Sequence, residues 1–101
     1  MFIIYLWDKA IGESIRSLDD FSGNENFLIR DDLCKYPLLS KLSNCDMELF
    51  SDGQLIDLRQ EINSLMKDEL LDQNAYDYLR SVVSLIDDAY HNNKGILFSP
   101  F

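Results

Sequence analysis

The amino-acid sequence predicts one α+β domain, mainly helical, in which an amphipathic helix pair is flanked by short N- and C-terminal strands. Three observations predict it. Leu55, Leu58, Ile62 and Leu65 recur at spacings of three and four, which puts them on one face of a helix. Tyr76, Leu79, Val83, Ile86 and Tyr90 keep the same alternation in a second segment. Two short apolar runs, residues 2–7 and 96–98, stand outside both stripes. An all-α bundle is the alternative, because so short a run at residues 2–7 does not settle a period. A chain of 101 residues suits a single domain spanning residues 1–101.

Taken in order, residues 2–7 form a run apolar on both faces, as in a buried strand, with a polar stop at Asp8 and Lys9. No Lys or Arg precedes the run, and it is too short for a signal peptide or a membrane span. The expectation is a cytoplasmic protein with no membrane partner. Ile11, Ile15 and Leu18 are spaced for a short helix that Ser22-Gly23-Asn24 breaks. Phe27-Leu28-Ile29, flanked by charge, reads as a short strand or extended loop. Pro37 opens a helical turn, where its missing N–H has no helical partner, and Leu38, Leu39 and Leu42 share one face of it. Ser51 and Gln54 have the spacing of a capping box. Asp52 in the first turn suits the helix dipole. The helix they start runs to about Leu70. Asp57, Gln60, Glu61 and Asn63 fall outside its stripe. Asp72 or Asn74 caps the next helix, whose apolar face Val82, Leu85 and Ala89 widen. His91 lies in its last turn, and Gly95 is placed as the left-handed stop. Residues 96–98 return as a strand beside residues 2–7, and Pro100 ends it.

Charge bounds the function. Eighteen acids against nine Lys and Arg give a formal net charge of −9. Such a surface repels nucleic acid and anionic lipid and draws in basic partners. Cys34 and Cys45 read as two free thiols in a reducing compartment, with one disulfide between them as the alternative. One His and no C-x-x-C leave no zinc pattern. No Gly-rich phosphate loop or EF-hand is present. A nucleophile relay needs a base beside Ser or Cys, and the lone His91 stands at a helix end. Asp19-Asp20, Asp31-Asp32 and Asp87-Asp88 offer paired carboxylates, and adjacent acids on a helix point apart. The expectation is a protein that is not an enzyme and uses no metal or cofactor.

Acids and aromatics gather in residues 18–50. Asp19, Asp20, Asp31, Asp32, Asp46 and Glu48 are the candidate partner-binding residues, with Glu25 also acidic and Phe21, Phe27, Tyr36 and Met47 interspersed. An aromatic anchor inside an acidic rim suits the grip on a basic protein. The alternative is that the aromatics are core and the acids solvate it.

Tyr36-Pro37-Leu38-Leu39 with Leu42, then Phe50-Ser51 and a helix bearing Gln54-Leu55, Leu58, Glu61-Ile62 and Leu65, resembles small bacterial immunity proteins. These accompany contact-dependent growth-inhibition and other polymorphic toxins. The resemblance covers about a third of the chain and rests on helical packing and caps. It implies a cytosolic protein that binds one cognate toxin domain, a basic protein and often a nuclease, and blocks it. It transfers no binding residue. An acidic adaptor or regulatory module with a hydrophobic groove between its helices is the second reading. A small enzyme using a carboxylate pair is the third.

Overall fold

The computed structural model describes residues 1–68 and 70–101. The elements are β1 (Ile3–Asp8), β2 (Glu13–Ser17), α1 (Glu25–Leu28), a 3-10 turn (Leu39–Lys41), β3 (Glu48–Ser51), α2 (Gly53–Asp68), α3 (Gln73–His91) and β4 (Gly95–Ser99). The strands form one antiparallel sheet in the order β2-β1-β4-β3. The fold is therefore α+β, and the all-helical alternative falls. The N- and C-terminal runs pair as the two central strands, with Ile4 opposite Phe98 and Leu6 opposite Ile96.

The sheet is wider than the sequence reading expects, because two edge strands escaped it. Residues 9–18 form no helix. Asp8 accepts the Ala10 N–H on its side chain and the Gly12 N–H on its carbonyl. Gly12 takes a φ of +72°, and the chain turns back as β2. Ile11 and Ile15, spaced like a helical stripe, are exposed. Only Leu18 of that trio packs on the core. β3 had no signal of its own, since its Leu49 and Phe50 precede the capping site directly. Residues 27–29 also differ from expectation: Phe27 and Leu28 sit in the single turn of α1.

The helix pair stands as expected. The return half of the capping box forms, with the Ser51 N–H on the Gln54 side chain. Asp52, expected in the first turn, instead precedes the helix in the left-handed region and pairs with Lys9, so the first turn of α2 holds no acid. α2 extends to Asp68; the expected end near Leu70 passes through Glu69, outside the described residues. Asp72 caps α3 by accepting the Ala75 N–H at 2.8 Å. Leu58, Ile62, Leu79 and Ile86 are fully buried, whereas Val83 is only partly buried. Val82 and Ala89 take the deep positions, and Tyr76 and Tyr90 lie at the exposed margin. Asn93, at φ 56°, provides the left-handed stop in place of Gly95, which opens β4.

Both helices pack on one face of the sheet, α2 against β3 and α3 against β1 and β4. Phe2, Ile4 and Leu6 meet them from β1 and its start, Ile96 and Phe98 from β4, and Phe50 from β3. Phe98 takes Phe2 and Phe50 edge-on from either side. Leu28, Tyr36, Leu38, Leu39 and Leu42 close the core from the long connection.

Candidate protein-binding surface

The connection from β2 to α1 is pinned by one side chain. Asn24 is buried and acts as an extra strand partner for Phe2. Its Oδ1 accepts the Phe2 N–H at 2.7 Å, and its Nδ2 donates to the Phe2 carbonyl at 2.8 Å. The same Nδ2 donates to the Tyr78 hydroxyl on α3 at 3.0 Å. Leu18 continues the β2 pairing through its N–H on the Ile4 carbonyl. Asp19, Asp20 and Phe21 are thereby held against α3.

Phe21 lies over Tyr78 with ring centroids 4.8 Å apart, and Phe27 meets it edge-on at 5.7 Å. Burial pushes the Tyr78 phenol above its ordinary pKa, with the Asn24 hydrogen bond opposing and the nearby Asp20 charge adding a little. Beside this cluster is a depression of about 290 Å³ lined by Asp19, Asp20, Phe21, Asp77, Tyr78 and Ser81, among others. Gln73 donates to Asp77 and steadies it. Among the described residues none of the three aspartates is in an ion pair. Three carboxylates thus rim an aromatic floor.

The other expected acids lie elsewhere. Asp32 shapes a turn, accepting the N–H groups of Cys34 and Lys35 on its Oδ1. Asp31 and Asp32 share their depression with Arg30 and Lys35, so its charge is mixed. Asp46 is exposed just before β3, and Glu48 is half-buried at the start of that strand. Leu18 and Glu48 belong to one cross-sheet row, through Ile4 and Phe98, separated by three strand spacings, or about 14 Å. The six acids therefore form three sites and not one rim. Asp77 joins Asp19 and Asp20 from 57 residues away, a separation read from the numbering. Its only sequence signal is the polar stripe Asn74, Asp77, Ser81 on α3.

A second depression, of about 340 Å³, runs between α2 and α3 over Leu55, Ile56, Ile86 and Tyr90. Ile56 and Tyr90 are 44% and 49% exposed. Arg59 crosses it to Asp87 at 2.9 Å. His91 holds its Nδ1 on the Asp87 carbonyl, with Tyr90 edge-on beside it. Cys34 and Cys45 are exposed and unbonded. Among the described residues no three metal-ligating side chains converge, and no helix is long and apolar enough to cross a membrane. No family model, curated protein or solved structure matches the chain.

Proposed function

We propose that the chain is an immunity protein that binds a basic, nuclease-type toxin domain in the cytoplasm and blocks its active site. The observation that carries the reading is the convergence of Asp19, Asp20 and Asp77 around Phe21 and Tyr78. A nuclease site is cationic because it must hold phosphates. Carboxylates at the spacing of a small cleft occupy the same positions, and the aromatic floor excludes water beneath them. The inhibitor does no chemistry of its own. It acts by occupancy and charge.

Co-expression with a basic nuclease-type toxin domain, sought in the reading frame beside the gene, tests the reading. Cells are expected to grow only when this chain is present. The triple variant Asp19→Lys/Asp20→Lys/Asp77→Lys is expected to lose protection while keeping its helical circular dichroism. Death of the cells with the native chain present would overturn the immunity reading. Full protection by the triple variant would overturn the site. The adaptor reading has its own support in the exposed Ile56 and Tyr90. It is favoured if Ile56→Lys abolishes partner binding and the aspartate variant does not.

A further inference from the structure

The sheet has two faces, and the helices cover one. Every charged side chain of the strands lies on the covered side. Asp8 alternates with Leu6, Glu13 is opposite Asp8, Arg16 is opposite Leu6, and Glu48 is opposite Phe98. Arg16 confirms the side by reaching Asp88 on α3. The uncovered side carries Ile3, Tyr5, Trp7, Leu49 and Leu97, bordered by serines of β2, β3 and β4. None of these residues belongs to the core cluster or packs against it; Leu49 is 40% exposed, Ile3, Tyr5 and Trp7 are half-buried, and Leu97 in the middle of the sheet is 8% exposed. In a chain that is 27% charged, a whole sheet face without one charge is unexpected. A face left to water ordinarily alternates polar residues with the buried apolar ones. Here residues 3–7 are apolar on both sides although only one side is covered. Gly95 has no side chain, and Leu49 leans over it, its Cδ1 3.0 Å from where a Cβ would stand.

We infer that this face is where a second copy of the chain docks, sheet against sheet, about a two-fold axis. A two-fold contact must match its own surface, and a face without charge does so with no like charges opposed. A basic partner finds no carboxylate there. Over the rest of the surface the net charge of −9 keeps copies apart. Four strands about 4.8 Å apart and about five residues long give a face of about 300 Å². That is small beside the roughly 800 Å² per partner of a standard interface. The dimer is therefore one that forms and dissociates with concentration, and the inference stands independently of the toxin reading.

Sedimentation velocity from micromolar to millimolar protein tests it, alongside the fluorescence of Trp7, the single tryptophan. The sedimentation coefficient is expected to rise with concentration. Trp7 emission should shift to shorter wavelength, and its quenching by acrylamide should fall over the same range. Added salt should strengthen the dimer by screening its like charges, opposite to its effect on a basic partner. Leu49→Glu should weaken association about tenfold or more. Ser17→Glu, at an exposed position opposite Tyr5, should do the same with no core packing at stake. Ile56→Glu, in the helix groove, should leave association unchanged. A chain that stays monomeric at millimolar concentration overturns the inference. So does a dimer that Ile56→Glu disrupts and both face variants leave intact. Protection of Trp7 only on adding the basic toxin domain would assign the face to that partner instead.

Discussion

Glu61 is buried because the backbone opposite it has no other partner. Leu38 and Leu39 stand at the start of the 3-10 turn, so their N–H groups have no partner within it, and both residues are buried. Glu61 accepts both, with both carboxylate oxygens on Leu38 and Oε1 on Leu39. It is only 5% exposed. Burial pushes its pKa above the ordinary 4.5, and the two backbone donors only partly oppose this. The folded state thus holds the Glu61 proton more tightly than the unfolded chain. Its contribution to stability is present in acid and is lost as pH rises from about 4.5 through the raised value. Urea titrations of Glu61→Gln against the native chain should therefore show the native chain losing ground across that window. A constant difference would refute the assignment. Glu61→Ala strands two donors and should cost about 1–3 kcal/mol. Asn24→Ala should cost a similar 1–3 kcal/mol or so, because Phe2 loses both of its side-chain partners. Neither residue was legible in the sequence. A Glu off the apolar stripe reads as solvated, and an Asn after Ser-Gly reads as a turn breaker. What buries each of them is a backbone more than twenty residues away.

At the scale of elements, what could be read was what repeats. α2 and α3 declare themselves through sustained spacings of three and four, and Asp72 caps where expected. β1 and β4 show as apolar runs. β2 was lost because an edge strand with polar, exposed residues has no hydrophobic face to announce it. That polarity, with a bulge in its pairing between Leu6 and Trp7, also discourages edge-to-edge aggregation. The left-handed stop fell on Asn93 because Asn tolerates that conformation. Gly95 is then required for a different reason, the side chain of Leu49 leaning over it. Gly95→Ala would place a Cβ 3.0 Å from Leu49 Cδ1 and 3.2 Å from the Phe50 carbonyl oxygen. The leucine can move, but the β3 backbone is fixed by its own pairing. The substitution should cost about 1–3 kcal/mol, read as a lower urea midpoint. An unchanged midpoint would mean that β3 yields without penalty.

The whole molecule separates its chemistry by surface. Apolar residues fill the layer between sheet and helices, the outer sheet face is uncharged, and carboxylates are set on the connections, the helix flanks and the strand ends and edges of the covered face. Several of those carboxylates are already neutralised locally: Asp8 by Lys94, Asp52 by Lys9, Asp87 by Arg59 and Asp88 by Arg16. Asp19, Asp20 and Asp77 have no such cation among the described residues. Charge density alone does not distinguish these groups in the sequence, where Asp87-Asp88 and Asp19-Asp20 look alike. The fold distinguishes them by supplying or withholding a base. This division predicts how a basic partner binds. Exposed carboxylates act mainly by steering, so association should slow steeply as salt is added, while dissociation changes little. Asp19→Asn/Asp20→Asn should reduce both the association rate and its salt dependence. Asp87→Asn and Asp88→Asn remove charges that Arg59 and Arg16 already cancel. They should leave the association rate nearly as it was and lower stability slightly, by about 1 kcal/mol or less each, as exposed ion pairs do. Stopped-flow association at several salt concentrations separates the two classes. Equal effects from both aspartate pairs would show that only net charge steers the encounter, and that the acids around Phe21 and Tyr78 have no special place in it.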